Sequence, residues 1–234
     1  MAAISRYRIA SIEAPLSDLN IYRLEPLEGK VPPFQPGQFV FIHILDEKGA
    51  TVARKPYSVS SAPSAPFLEF AIDMVHGQLT GRLEKMKAGD VVGVEGPMGH
   101  MTYKGQEKAA FIAGGTGIAP FMSMLRHIAE KQVRGSFILF YSTRTRDRII
   151  FSEELESLQK RHPGIKVVVT LTREEPGEWV GECGRINGVM ISKYAAVPKE
   201  YDWYICGAPE LVKNMRICLE AAGVDPKKLM MEGW

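Results

Sequence analysis

The stretch AAFIAGGTGIAP, residues 109–120, is an apolar run that breaks into three glycines and closes on Pro120. A strand that enters a glycine-rich turn and then a helix directs backbone N–H groups and the positive end of the helix dipole at an anion. Proline suits the first helical turn, because the N–H that it lacks would have no partner there. The stretch therefore predicts a phosphate-binding turn, although such turns are also glycine-rich for packing reasons alone.

A dinucleotide fingerprint carries an acidic residue about 20 positions later, where it holds the ribose 2′-hydroxyl. This chain instead has YSTRTRDR at residues 141–148, with hydroxyls and arginines in place of the acid. Such a segment tolerates or favours a 2′-phosphate. The loop and the basic segment together favour nucleotide binding, while a solvated basic face is the alternative for Arg146 and Arg148.

Composition narrows the class of protein. The chain has 234 residues, of which 45% are hydrophobic and 24% are charged, as in ordinary globular proteins. Its net charge of +2 gives no support for binding nucleic acid or a membrane surface. No apolar run reaches the roughly 18 residues of a membrane span, and the first 15 residues alternate like a strand and lack the apolar block of a signal peptide.

The three cysteines, Cys183, Cys206 and Cys218, are widely spaced and odd in number. This pattern argues against a disulfide framework and suits a reducing, cytoplasmic location. No clustered cysteines are present that would hold zinc or an iron–sulfur centre. We therefore expect no metal site in this chain.

The elements that must position these residues fall into two parts. Up to about residue 104, short alternating segments bounded by Gly, Pro and Asp predict strands at 37–44, 57–63, 67–75 and 90–97. They suit an antiparallel barrel or sandwich, with one brief helix at 78–87. From about residue 107, buried strands alternate with amphipathic helices, one of them with Ser152 as its expected N-cap, which predicts a parallel doubly wound sheet. We predict a β domain at 1–104 and an α/β domain at 105–234.

Six motifs follow one another along the chain: KPYSVSS, GQLT, GPMG, GGTGIAP, YICGAPE and a final EGW. In this order they resemble the ferredoxin–NADP reductase family of flavoproteins over nearly the whole chain. The resemblance implies a six-stranded antiparallel flavin-binding barrel followed by a nucleotide-binding domain with a five-stranded parallel sheet. It also implies non-covalent FAD as cofactor and NADP(H) or NAD(H) as cosubstrate.

The resemblance assigns the flavin contacts to two segments of the β half. Tyr57 would pack near the isoalloxazine ring, and Ser58 would hydrogen-bond around N5. The family's arginine that pairs with the flavin phosphates corresponds to Lys55, with Arg54 just before it, so that either residue is a candidate for this contact. GQLT would hold the pyrophosphate at a helix start. The implied flavin-binding residues are Arg54, Lys55, Pro56, Tyr57, Ser58, Val59, Ile72, Gly77, Gln78, Leu79 and Thr80.

The resemblance places GGTGIAP under the nicotinamide nucleotide, with Thr116 facing the gap between the two cofactors. Arg144 and the pair Thr172–Arg173 match positions that NADPH-binding members use for the 2′-phosphate. EWVGECGRI, residues 178–186, is closer to the NADH-using branch, so either coenzyme is compatible with the resemblance. The arginines favour NADPH of the two. The implied nucleotide-binding residues are Gly115, Thr116, Gly117, Pro120, Arg144, Thr172, Arg173, Cys206 and Gly207.

Four residues receive catalytic roles from the resemblance. Ser58 would serve at the flavin N5, and Cys206 would position the nicotinamide C4. Glu232 would handle protons near the N5 edge. Trp234 would stack on the flavin, as part of its binding site, until nicotinamide displaces it. The two rings would then lie face to face in a cleft between the domains.

The implied activity is an FAD-dependent NAD(P)H oxidoreductase that passes hydride to flavin N5 and electrons to a separate acceptor. A ferredoxin or flavodoxin is the favoured acceptor, with Lys30, Arg54, Lys55 and Arg82 as a candidate basic rim. Two alternatives stay open. One is an NAD(P)H:flavin reductase that uses free flavin as substrate, and the other is an electron-transfer subunit with little activity alone.

Overall fold

A computed structural model of the protein describes residues 4–174 and 179–233. The chain separates into two compact units. The first contains the residues up to Thr102 together with Met122–His127, and the second contains Tyr103–Phe121 and the residues from Ile128 onward.

The first unit is a six-stranded antiparallel sheet in the spatial order β4-β3-β6-β1-β2-β5. Its elements are β1 (Ser5–Leu16), β2 (Leu19–Pro26), β3 (Phe39–Leu45), β4 (Thr51–Ser58), β5 (Leu68–Asp73), α1 (Thr80–Leu83) and β6 (Val91–Met98). Alternation along the strands sends one set of side chains inward, where Tyr7, Tyr22 and Phe70 are at most 1% exposed. The predicted six-stranded antiparallel sheet is confirmed.

The first unit closes on itself because its two end strands, β4 and β5, contact each other. Just beyond β4, the Ser60 N–H donates to the carbonyl oxygen of Glu69 at 2.8 Å. Closure of this kind removes the exposed sheet edges that an open sheet would present. The bounds of the strand predicted at 57–63 were wrong, because β4 ends at Ser58. The strand instead extends back through Pro56, which an end strand can contain because one of its sides forms no ladder hydrogen bonds.

The predicted helix at 78–87 shortens to the single turn of α1. Beyond it, the N–H groups of Lys85 and Met86 donate to carbonyls three residues back, at Arg82 and Leu83. The chain therefore leaves the helix through tight turns, which end at Gly89 with a positive φ of 100°.

The second unit contains a parallel sheet in the order β10-β9-β8-β7-β11-β12. Its strands are β7 (Lys108–Gly114), β8 (Ser136–Thr143), β9 (Ile165–Leu171), β10 (Glu182–Cys183), β11 (Asp202–Gly207) and β12 (Leu229–Gly233). The parallel α/β fold is confirmed, and the number of strands is corrected from five to six. The extra strand, β10, pairs only two residues with β9, which is too short to leave a periodic signal in the sequence.

In the described part of this unit, four α-helices accompany the sheet: α2 (Ala119–Glu130), α3 (Ser152–Arg161), α4 (Gly188–Tyr194) and α5 (Pro209–Ala221). Ser152 is the first helical residue rather than the N-cap, which is Phe151 in a left-handed conformation with φ of 60°. The central strands are buried on both faces, as their unbroken apolar sequences require. Phe140 and Trp203 stack in this core with ring centroids 6.1 Å apart.

The part of the chain that the structure describes contains no helix with the length and apolar character needed to cross a membrane. Within the same residues, no three His, Cys, Asp or Glu side chains converge in a way that would hold a metal ion.

Candidate functional site

Arg54 and Lys55 lie on opposite faces of β4, because successive side chains of a strand alternate. Arg54 is paired with His43 of β3, and Lys55 is paired with Ile42. Ile42 belongs to the barrel core, as does Val40, which is paired with Tyr57. Lys55 and Tyr57 therefore share one face, and Arg54 projects from the other.

Arg54 is engaged in an ion-pair network on its own face. Its Nη1 donates to Glu95 Oε2 at 3.1 Å, and its guanidinium lies 4.9 Å from the centre of the Phe41 ring. The same carboxylate oxygen lies 3.2 Å from Nε2 of the buried His43, whose Nδ1 is 2.9 Å from Thr51 Oγ1. Arg54 thus balances a nearly buried carboxylate.

Lys55 reaches the GQLT segment. Its Nζ lies 3.7 Å from the position that a Cβ on Gly77 would occupy. Within the described residues, no carboxylate forms a salt bridge with Lys55. The Gly77 N–H donates to Thr80 Oγ1 at 2.9 Å, so the loop is folded back on the start of α1. An ammonium therefore lies over a short loop whose glycine presents bare backbone to it.

The residues around the end of β4 are largely apolar and carry two hydroxyl groups, those of Tyr57 and Ser58. Tyr57 is half-buried against the core, and burial raises its pKa, which keeps it a neutral phenol. Val59 and Ile72 lie within the core. The Ser58 hydroxyl is buried, and its Oγ has no hydrogen-bond partner among the described residues. A buried hydroxyl without a partner costs free energy unless a bound group supplies one.

The GGTGIAP segment is a single turn of 3₁₀ helix, Gly115–Ile118, that leads directly into α2. A Cβ on Gly117 would collide with the carbonyl of Cys206 and the amide of Gly207, at the end of β11. Gly115 has a φ of +55° and nothing within 4 Å of its Cβ position. Packing therefore requires the glycine at 117, whereas the open side of the loop at Gly115 remains accessible to a ligand.

Cys206 and Glu232 are neighbours at the carboxyl ends of two parallel strands. They are in register between β11 and β12, so their side chains share one face of the sheet. Burial raises the pKa of the Cys206 thiol, and the nearby Glu232 raises it further, so the group is a neutral thiol. Burial also raises the pKa of Glu232 to about 7, and its Oε2 has no partner among the described residues.

Arg144 follows β8 and Arg173 follows β9, and the two backbone segments that carry them are hydrogen-bonded to each other. The Arg173 N–H donates to the carbonyl of Arg144 at 2.9 Å, and the Thr172 N–H donates to that of Thr143 at 3.0 Å. Both arginines are exposed, and neither forms a salt bridge within residues 4–174 and 179–233. Two guanidinium groups thus flank the same end of the parallel sheet, where nucleotides bind in α/β folds.

Three further predicted residues are Pro120, Gly207 and Trp234. Pro120 is buried in the first turn of α2, and Gly207 has a φ of +149° where β11 ends. Trp234, the predicted stacking residue, lies outside the described residues.

Sequence analysis did not identify two buried carboxylates of the first unit, Glu69 and Glu95. Glu69 interrupts the otherwise apolar run LEFAI, and this interruption was the available signal. Glu95 lies in VVGVEGP, another apolar strand. A charged residue at such a position requires a partner of opposite charge.

The observed donors fit the two expected groups. An ammonium beside a glycine loop matches the phosphate of a flavin nucleotide, and the buried hydroxyl three residues further along the strand matches a polar contact to its ring. An open glycine turn and two guanidinium groups that form no salt bridge within the described residues match a nicotinamide dinucleotide. These are properties of each unit taken separately.

Comparisons with known proteins agree with this assignment. Residues 8–103 match the oxidoreductase FAD-binding domain, and residues 111–216 match the oxidoreductase NAD-binding domain. The reductase component of propane 2-monooxygenase from Rhodococcus jostii is 28% identical over 236 residues, 97% of this chain and 62% of that protein. NADH–cytochrome b5 reductase 1 of Arabidopsis thaliana is 30% identical over 197 residues, 82% of this chain and 70% of that protein.

Solved structures share the fold. The FAD/NAD-binding domain of nitric oxide dioxygenase from Vibrio cholerae superposes with a TM-score of 0.87 at 20% identity, covering 98% of both chains. Ferredoxin–NADP⁺ reductase from Neisseria gonorrhoeae gives a TM-score of 0.84 at 22% identity, covering 100% of this chain and 99% of that one. With two matched domains in the expected order, the chain belongs to the ferredoxin–NADP reductase family of FAD- and NAD-binding oxidoreductases.

Proposed function

We propose that this protein binds FAD through residues 1–104 and NAD(P)H through residues 105–234, and that it passes electrons from the nicotinamide to a separate acceptor. When bound, FAD would supply the redox chemistry that links a two-electron hydride donor to an electron acceptor, and the residues of this chain would bind and orient it. The observation that carries the proposal is the placement of Lys55 and Ser58 on one strand. Among the described residues, Lys55 supplies a cation beside Gly77 that forms no salt bridge, and Ser58 supplies a buried hydroxyl that has no hydrogen-bond partner.

Lys55, rather than Arg54, is the proposed partner of the flavin phosphates. Lys55 shares the face of Tyr57 and lies over Gly77, whereas Arg54 is committed to Glu95 on the opposite face. Lysine acts there as a point charge, and the backbone of the Gly77–Thr80 loop supplies the directed hydrogen bonds.

The proposed nucleotide site uses the open side of the 3₁₀ turn at Gly115, with Thr116 beside it. Arg144 and Arg173 provide two charged donors for a 2′-phosphate, which supports NADPH as the preferred coenzyme. The relatives bear names of NADH-using and NAD(P)-using reductases. The preference is therefore a quantity to measure rather than a property of the family.

The proposed catalytic residues donate a hydrogen bond, exchange a proton or hold a position beside the reacting groups. The Ser58 hydroxyl donates a hydrogen bond toward the flavin ring. Glu232, whose pKa of about 7 lets it exchange a proton near neutral pH, serves as the proton-handling group. Cys206 stays a thiol and acts by its bulk and position beside Glu232. Trp234 keeps its proposed role of covering the flavin ring.

The acceptor is proposed to be a separate electron-transfer protein. Similar proteins are named as reductase components of propane 2-monooxygenase and of glycine betaine monooxygenase, and as a ferredoxin–NAD(P)⁺ reductase component. These names favour an oxygenase system as the setting, with a ferredoxin or flavodoxin as the specific acceptor to be tested.

The test begins with the purified chain. We expect a yellow protein that releases FAD on denaturation, is bleached anaerobically by NADPH and more slowly by NADH, and reduces a generic dye. Addition of an oxidised ferredoxin should then reoxidise the flavin faster than buffer does. Absence of flavin after native purification and after incubation with FAD would refute the proposal. Retention of FAD without ferredoxin acceleration would refute only the acceptor.

A further inference from the structure

Glu69 of β5 is a buried carboxylate with three side-chain donors, two of which come from distant parts of the chain. Its side chain is 2% exposed. It accepts from Arg126 Nη1 at 2.6 Å, from Arg23 Nε at 2.9 Å and from Ser60 Oγ at 3.0 Å. Burial alone would raise the pKa of Glu69, but the charge of Arg126 and these hydrogen bonds bring the pKa below its ordinary value. The group is therefore an anion held by cations.

Arg126 differs from Arg23 in a second contact. The same Arg126 Nη1 donates to the carbonyl oxygen of Ser60 at 2.7 Å, whereas Arg23 contacts carboxylates, those of Glu69 and, at 3.6 Å, Glu13. Arg126 is 13% exposed and Arg23 is 42% exposed at the side chain. Both arginines thus balance Glu69, but Arg126 alone of the two binds the backbone of the segment that follows β4.

That segment is the continuation of the strand that carries Ser58. The Val59 N–H donates to the carbonyl of Gln38 at 3.0 Å, and the Ser60 N–H donates to that of Glu69 at 2.8 Å. In return, the Glu69 N–H donates to Ser61 Oγ at 3.2 Å. The path of the chain just after Ser58 is therefore determined by Glu69 and its partners rather than by a long regular ladder.

Arg126 also has a particular place in the sequence. It lies in α2, the helix that starts directly after the 3₁₀ turn Gly115–Ile118. Its stretch of the helix, Met122–His127, belongs to the first compact unit, and there the Met124 methyl packs where a side chain on Gly37 would stand. The middle of α2, which carries Arg126, is therefore part of the first compact unit, although the helix starts and ends in residues of the second.

We propose that Arg126 is a positioning residue for flavin reduction, which holds the Ser58 hydroxyl in place through the Ser60 carbonyl and Glu69. The inference rests on the proposed function. The physical requirement is geometric, since a displacement of about 1 Å in a reacting group can lower a rate about a hundredfold. Loss of Arg126 frees the Ser60 carbonyl, leaves Glu69 with Arg23 as its remaining cation, and lets the chain after β4 shift.

The test compares R126Q with R23Q as the matched control, because both remove one arginine from Glu69. Anaerobic stopped-flow bleaching of the bound flavin by NADH and NADPH gives the limiting rate and the half-saturating concentration. We expect R126Q to lower the limiting rate 10- to 100-fold and to leave the half-saturating concentration within about twofold. R23Q should change both values by less than about twofold. Each variant should lower thermal stability.

A double-variant cycle shows whether Arg126 acts through Ser58. If it does, S58A and R126Q each slow reduction, and R126Q/S58A is no more than about twofold slower than S58A alone. R126K keeps the positive charge beside Glu69 and serves if R126Q does not fold. We expect it to fall between the wild type and R126Q, since lysine loses the planar guanidinium.

Three results would overturn the inference: an R126Q or R126K rate equal to that of the wild type, an equal loss in R23Q, or fully additive losses in the double variant. A wild-type protein that is not bleached by either coenzyme would instead refute the proposed function, so the two failures are distinguishable.

Discussion

Replacement of Glu232 by glutamine should change how stability depends on pH. The carboxyl is buried beside Cys206, and burial raises its pKa from 4.5 to about 7. The folded protein therefore binds this proton more tightly than the unfolded chain, and it takes up a proton on folding between about pH 4.5 and 7. Stability must fall as the pH rises through this window, since the folded state has to bury a charge.

The size of this effect follows from the shift. Each pKa unit corresponds to about 1.4 kcal/mol, so the full shift is worth about 3 kcal/mol. The side chain is partly exposed, and solvent screening reduces the effect to on the order of 1.5 kcal/mol. E232Q should match the wild type at pH 5, where the carboxyl is neutral, and should be more stable than the wild type at pH 8 by about 1.5 kcal/mol.

Urea unfolding at pH 5, 6, 7 and 8 measures this difference through the midpoint and slope of each transition. E210Q is the control, because Glu210 is an exposed acid of the same unit, paired with Arg185 at 3.1 Å. It should stay within about 0.5 kcal/mol of the wild type at every pH. If E232Q and the wild type lose stability in parallel from pH 5 to 8, the carboxyl is not held in a desolvated site and its proposed proton-handling role loses its basis.

Three further predictions concern binding and packing. K55Q should weaken FAD binding, measured by fluorescence titration, about 10- to 100-fold, while R54Q changes it less than about threefold; equal losses would contradict the assignment by face. R144Q should raise the KM for NADPH at least about tenfold and leave the KM for NADH within about twofold, and equal changes in both would exclude a role at the 2′-phosphate. G117A should destabilise the protein by roughly 2–4 kcal/mol in urea unfolding, because Cys206 must move, whereas G115A costs about 1 kcal/mol; similar values would disprove the packing explanation.

Much of the architecture could be predicted because the spacing of apolar residues along the chain differs between strands and helices. The change from alternating segments to long buried runs near residue 104 identified two fold types. Helix α2 could be predicted because four apolar residues fall on one helical face, and all four are fully buried in the structure: Phe121, Met124, Leu125 and Ile128. Strand β10 and the shortening of α1 were not predictable in this way, since both depend on a few backbone hydrogen bonds.

The candidate site was predictable as a set of motifs but not as a set of contacts. Sequence left Arg54 and Lys55 as equal candidates, although alternation along β4 already places them on opposite faces. The missing information was their partners, since Glu95 lies 41 residues from Arg54 in the chain. Likewise, Glu69 and Arg126 are 57 residues apart, and the sequence around one of them does not indicate that the other is its partner.

The position of Arg126 has a practical consequence for dividing this protein. A fragment cut near residue 104 would look complete by its strands, yet it would lack Met122–His127, which belong to the same compact unit. Such a truncated barrel would keep Glu69 but lose the guanidinium that lies 2.6 Å from it. A minimal soluble piece that retains flavin should therefore run through the end of α2, or carry an uncharged substitute such as E69Q.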